Sequence, residues 1–142
     1  MLARAVGYVY SEGCRDFYCG GALGFDTFAA KEVILFKLSH PDCRLHLLIP
    51  CKNQSERWSA ADARIYDYIL SNADTVEFVS DEYNDACMKQ RNQRLVDLSS
   101  TVVAYMSRPY SGAGQTVRMA KAQGKTVYNL FQSLEIEAER NR

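Results

Sequence analysis

The sequence predicts an α/β fold, in which a mainly parallel sheet of about five strands is covered on both faces by helices. Three observations carry this. Short apolar runs of strand length alternate along the chain with longer segments of helical periodicity. Two junctions from strand to helix are glycine-rich turns, GGALG after Cys19 and SGAGQT from Ser111 to Thr116. No linker, repeat or low-complexity segment interrupts the 142 residues, a length that suits one domain around a single core. Strands joined by helices require right-handed crossovers and hence parallel pairing.

The elements follow in order. Leu2 to Glu12 has helical spacing through Leu2, Val6 and Val9, and Phe17 to Cys19 is a strand. Thr27 to Ser39 reads as a helix with Phe28, Val33, Leu35, Phe36 and Leu38 mostly on one side, ended by Pro41. Arg44 to Ile49 is a β run stopped by Pro50. Ser55 to Ser71 is a helix whose Trp58, Ala61, Ile65, Tyr68 and Ile69 are spaced to face the sheet. Thr75 to Val79 is a strand, Cys87 to Leu98 a helix and Thr101 to Met106 a strand. Thr116 to Gln123 is a helix closed by Gly124, and Thr126 to Leu130 is the last strand. The polar tail IEAERNR is expected to fray.

Composition excludes several classes. Seventeen basic and seventeen acidic residues cancel, so no overall field favours nucleic acid or an anionic membrane. The five cysteines, Cys14, Cys19, Cys43, Cys51 and Cys87, are scattered and lack a CxxC pair, which indicates neither a disulfide framework nor a zinc site. The opening MLARAVGYVYSEG is broken by Arg4 and Glu12, and no apolar run approaches the ~20 residues of a membrane span. A cytoplasmic protein with reduced thiols, no metal and no cofactor is expected.

The chemistry concentrates at the carboxyl ends of the strands, where open α/β sheets bind ligands. Gly20, Gly21 and Gly24 permit positive φ and close approach, and the first N–H groups of the following helix point at whatever occupies the turn. An anion, usually a phosphate, suits that place. Asp26 has three readings: a helix cap, a hydrogen-bond partner for a ribose hydroxyl, or a general base. SGAGQT is either a second phosphate turn or a plain turn and cap. Neither loop fits G-x-G-x-x-G or G-x-x-x-x-G-K-[ST], which argues against an ordinary dehydrogenase or ATPase. His40 and His46 have no recognisable nucleophile beside them in sequence, and Asp81, Glu82 and Asp85 read as solvated surface.

GGALGFDTFAA, LLIP, KQRNQRLVD and SGAGQTVRMA, in that order from Phe17 to Leu130, resemble the YpsA-like branch of the SLOG superfamily, whose relatives include the DNA-processing and Lonely Guy proteins. The resemblance implies a Rossmann-like three-layer sandwich over residues 1–142 and a nucleotide or nucleotide-derived ligand. It places Gly20, Gly21, Gly24 and Asp26 in the first ligand loop, and Gly112, Gly114 and Thr116 in a phosphate-facing second loop. Arg91 and Asn92 match its QRN segment. Arg91 suits a bidentate phosphate clamp and Asn92 a sugar or base contact; from periodicity alone Arg91 reads as a solvated helix charge.

Two departures bear on activity. Lonely Guy phosphoribohydrolases carry a glutamate after PGGxGT, where this chain has Val117, Arg118 and Met119. Family members also usually have a first strand ending in a TGHR-like turn, whereas this chain begins at the helix. Either a start at an internal methionine or a reorganised sheet would account for that, and either would remove one wall of the expected pocket. The leading expectation is therefore a non-catalytic or weakly catalytic nucleotide-binding protein. The alternatives are an N-glycosidic hydrolase using Asp26, and a module for protein or single-strand nucleic-acid interaction, for which neutral charge is unfavourable. The helix of Trp58 and Tyr66 is expected to face either the sheet or a second subunit in a homodimer.

Overall fold

The computed structural model describes residues 2–106 and 110–130. The tail IEAERNR lies outside them. Five helices and five strands alternate: α1 (Leu2–Ser11), β1 (Asp16–Cys19), α2 (Phe25–Ser39), β2 (Arg44–Cys51), α3 (Ala60–Asn72), β3 (Thr75–Ser80), α4 (Cys87–Leu98), β4 (Thr101–Ala104), α5 (Gly112–Ala122) and β5 (Thr126–Asn129). All strand pairs are parallel, in the order β1-β2-β3 in one sheet and β4-β5 in another. This is the α/β alternation that the sequence implied and is consistent with the Rossmann-like fold that the resemblance implied, but the five strands form two sheets where one was expected. The chain falls into two compact units, Met1–Arg91 and Asn92–Arg142.

In the first unit β2 is the central strand, with Phe17 beside Leu45 on one flank and Leu47 beside Val76 on the other. Its Leu45, Leu47 and Ile49 project into a core with Val6 of α1, Val33 and Ile34 of α2, and Tyr66 and Ile69 of α3. Each such side chain contributes about 1.5–3 kcal/mol by leaving water. Pro50 does not stop this strand, which runs on to Cys51. Arg44 donates its N–H toward Arg15 beside β1, and donors alternate sides along a parallel strand, so the position of Pro50 also faces β1. Pairing with β1 ends at Leu47, and the missing N–H therefore breaks no ladder bond.

Two helices differ from their predicted faces. In α2 the buried residues are Ala30, Val33 and Ile34, whereas Phe28, Leu35 and Leu38 are 61%, 61% and 81% exposed. The helix is apolar nearly all round, so periodicity had no polar face from which to choose. The third helix begins at Ala60 rather than Ser55, because the Ser59 hydroxyl caps it by accepting the Asp62 N–H at 3.1 Å. Residues 53 to 58 form turns instead. Trp58 thus lies outside α3, its ring edge-on to Tyr66 with centroids 5.1 Å apart, and the inward tyrosine is Tyr66 while Tyr68 is half-exposed.

In the second unit, β4 and β5 pair from Thr101–Thr126 to Ala104–Asn129, and α5 buries Val117 and Ala120. Gly124, at φ +71°, closes that helix as expected. The start differs: α5 begins at Gly112, four residues before Thr116. Ser111 reaches forward to accept the Gly114 N–H at 3.1 Å, and that cap draws the glycines into the first helical turn.

Candidate functional site

The turn between β1 and α2 is shaped by side chains from three separate segments. Three consecutive carbonyls are held. Arg91 Nη1 of α4 donates to the Gly20 oxygen at 2.6 Å, Gln54 Nε2 to the Gly21 oxygen at 3.0 Å, and Thr27 Oγ1 to the Ala22 oxygen at 2.9 Å. The Ala22 N–H in turn donates to Asp26 Oδ2 at 3.2 Å. A trans peptide plane points its N–H opposite its carbonyl, so fixing these oxygens also fixes the directions of the neighbouring donors. Among the described residues no hydrogen bond engages the N–H of Gly21 or Leu23.

Each glycine has its own reason. Gly21 and Gly24 lie at φ +71° and +88°, a region costly for other residues. A Cβ on Gly21 would also sit 2.4 Å from Ile49 Cδ1. Gly20 has ordinary φ, but a Cβ there would meet Arg91 Nη1 at 2.5 Å and Asp26 Oδ2 at 2.8 Å. The guanidinium and the carboxylate therefore flank one point beside the turn.

Asp26 is the second residue of α2, whose N-cap Gly24 offers no side-chain acceptor. Its carboxylate serves the turn rather than the helix cap. Burial pushes its pKa up, against the opposing pull of Arg91 and the Ala22 N–H. Arg91 is only 4% exposed; burial lowers its pKa and the Asp26 charge works against that loss. This is not the solvated helix charge that periodicity allowed. Cys19, at the end of β1, is buried with its thiol pushed well up, which makes it unreactive.

Within the second unit the Asn92 side chain, also buried, donates to Gln115 Oε1 at 2.9 Å. Gly112, Gly114 and Thr116 lie in the first turns of α5, and the Thr116 hydroxyl donates back to the Gly112 carbonyl at 3.2 Å. Neither Gly112 nor Gly114 has positive φ. SGAGQT is therefore a capped helix start, not a strained loop.

Sequence reasoning missed Gln54 and Thr27. Thr27 is the third helical residue after the glycines, a position whose hydroxyl can reach back to the turn, and that spacing was a usable signal. Gln54 had no such signal, since its reach depends on the turns that replace the predicted start of α3. His46 bonds Asp16 at 2.8 Å and Thr75 at 2.7 Å across the three strands, a cross-strand ladder away from the turn. Among the described residues no helix is long and apolar enough to cross a membrane, and no group of three or more His, Cys, Asp or Glu residues is placed to hold a metal ion.

Known proteins supply the kinship. The chain is 31% identical over 133 residues to the uncharacterised SPbeta prophage-derived protein YoqJ of Bacillus subtilis (strain 168), covering 85% of this chain and 78% of that one. It is 26% identical over 127 residues to UPF0398 proteins of Bacillus cereus (strain G9842) and Bacillus thuringiensis (strain Al Hakam), in each case over 87% of this chain and 69% of the relative. The family model described as the YspA SLOG family matches residues 1–137, and the chain accordingly belongs to the YpsA family of SLOG proteins.

Proposed function

We infer that this protein binds a phosphorylated, nucleotide-like small molecule at the Gly20–Asp26 turn, with little or no catalysis. The observation that carries the reading is the locking of three successive carbonyls by Arg91, Gln54 and Thr27. It leaves the Gly21 and Leu23 donors, and the N-terminal end of the uncapped α2, oriented before any ligand arrives. Preorganised amides and a helix N-terminus favour an anion. In this reading Arg91 acts first by setting the turn, since its guanidinium already holds the Gly20 carbonyl. For Asn92, Gly112, Gly114 and Thr116, which lie in the second unit, contact with a ligand is a separate proposal.

A hydrolytic reading has one observation in its favour. Asp26 is a carboxyl whose proton affinity is raised beside the turn, as acid–base catalysis at an N-glycosidic bond would need. The absence of a carboxylate after Thr116 weighs against it.

The test is a thermal-shift and calorimetric screen with AMP, ADP, ATP, ADP-ribose and NAD, with product analysis for base release. Ligand at ~100 times its dissociation constant adds about 2.7 kcal/mol of stability. Expected is a shift with at least one nucleotide that Gly21→Asp abolishes in a chain still folded by circular dichroism. No binding tighter than millimolar by any of them would sink the reading. Base release lost in Asp26→Asn would establish the hydrolase instead.

A further inference from the structure

Among the described residues one buried side-chain polar atom has no hydrogen-bond partner, the Tyr66 hydroxyl, in a residue 4% exposed. Native folds leave such groups unpaired rarely. This one lies at the site. A Cβ on Gly21 would sit 3.6 Å from Tyr66 Cε1 and 3.6 Å from Gln54 Nε2, so the phenol ring and the amide meet beneath the turn.

Gln54 faces the hydroxyl as a donor to the phenol oxygen, which works against the rise in its pKa, and so does not supply the acceptor that the phenol proton lacks. Its Nε2 donates to the Gly21 carbonyl at 3.0 Å, and this fixes the amide's orientation, because a flip would set Oε1 against another carbonyl oxygen. The end of the amide at the turn is therefore an NH2, a donor. It offers the phenol oxygen a proton, while the phenol's own proton has no acceptor. Burial raises the Tyr66 pKa, so that proton stays in place.

We propose that Gly21, Gln54 and Tyr66 form a subsite for a hydroxyl group of the ligand, a sugar hydroxyl in the nucleotide reading above, on which this proposal rests. A hydroxyl is donor and acceptor at once. It takes over the bond to the Gly21 carbonyl from Gln54 and accepts the Tyr66 proton, leaving both groups satisfied. An ammonium does only the first, and an unprotonated phosphate oxygen only the second. Gln54 is half-buried on an irregular segment and turns outward to make room.

The experiment compares wild type with Tyr66→Phe, by calorimetric titration with inorganic phosphate, AMP, 2′-deoxy-AMP and 3′-deoxy-AMP, and by melting without ligand. Wild type is expected to prefer AMP over one deoxy analogue about tenfold, equivalent to about 1.4 kcal/mol. Tyr66→Phe is expected to lose that preference, keep its phosphate affinity, and melt at or above wild type, because an unsatisfied hydroxyl has been removed. A Tyr66→Phe melt several degrees lower overturns the proposal, since the hydroxyl is then already bonded in the free protein. Binding of phosphate or AMP without deoxy discrimination, or discrimination that survives in Tyr66→Phe, overturns the subsite alone. No binding of any of the four overturns the nucleotide reading and the subsite with it.

Discussion

Gly20→Ala isolates the contact that builds the turn. Gly20 has ordinary φ, so alanine brings no backbone strain, and its whole effect is the added methyl. That methyl would lie 2.5 Å from Arg91 Nη1, 3.0 Å from Arg91 Cζ and 2.8 Å from Asp26 Oδ2. An arginine tip usually yields easily. Here it is buried and bonded at 2.6 Å to the carbonyl of Gly20 itself, and a shift of about an ångström breaks that bond. Overpacking costs about 1–3 kcal/mol, and losing a hydrogen bond from a buried charged group costs about 1.5–3 kcal/mol. The two overlap, so about 2–5 kcal/mol is expected, a fall in melting temperature of about 6–15 °C for a chain of this length.

Guanidinium denaturation monitored by both circular dichroism and tryptophan fluorescence gives the number, with coincident transitions as the check on two-state behaviour. The mechanism is tested by a double-mutant cycle. In an Arg91→Ala background, Gly20→Ala should cost at least about 1 kcal/mol less than in wild type, because the atom it strikes is gone. Gly24→Ala is the contrast: φ is +88° but no heavy atom lies within 4 Å, so only the backbone penalty of about 1–2 kcal/mol applies. A Gly20→Ala loss below about 1 kcal/mol, or an additive cycle, would refute the argument.

At the other glycine segment the sign reverses. Gly112→Ala sits in the first turn of α5 with open space around its Cβ, and should raise stability by about 0.4–1 kcal/mol in the same denaturation assay; a clear loss would mean that the segment is not helical. Asp74 gives a pH dependence. Burial alone would raise its pKa, but the Lys37 ammonium at 2.5 Å and the Leu45 N–H at 2.7 Å outweigh it and hold the group below its ordinary value. With the folded pKa depressed, the folded state binds the proton less tightly than the unfolded one, so the contribution is present above about pH 4 and is lost as pH falls through the folded pKa. Asp74→Asn should therefore be less stable at pH 7 by about 1 kcal/mol, with the difference from wild type shrinking steadily in melts taken from pH 5 to pH 2.5.

The architecture was legible because it rests on periodicities that one side of each element decides. The strands of β2 and β3, the helix from Cys87 to Leu98 and the glycine closing α5 come directly from such local signals. The errors occur where two faces look alike. The helix of Phe28, Leu35 and Leu38 offers apolar residues on several sides, and only packing of small Ala30 against the sheet selects the buried one. At the site, Gly20, Gly21, Gly24 and Asp26 could be named as a loop, but their separate duties could not. Nothing local reveals that Gly20 is kept small by an arginine 71 residues later in the chain, or that a glutamine beyond β2 reaches the next carbonyl.

The two helix starts show why glycine content alone is a poor guide to an anion site. Both follow a strand and both contain glycines, yet their donors have different fates. In α5 Ser111 supplies its own oxygen to the Gly114 N–H, and the Thr116 hydroxyl turns back onto the Gly112 carbonyl, so the segment meets part of its hydrogen-bonding need internally. In α2 the cap residue is a glycine without a side chain, and the nearby polar groups spend themselves on carbonyls or on the Ala22 N–H. A helix start that lacks its own cap leaves donors for water or ligand. Holding it in one shape with Arg91, Gln54, Thr27 and Asp26 places a buried charge pair and an unpaired phenol under a surface turn, an arrangement costly to stability. Folding alone gives no reason to keep such a cluster there; the proposed ligand, by completing its hydrogen bonds, would supply one. That asymmetry, rather than the glycines themselves, is what favours the turn after β1 as the place of the proposed binding.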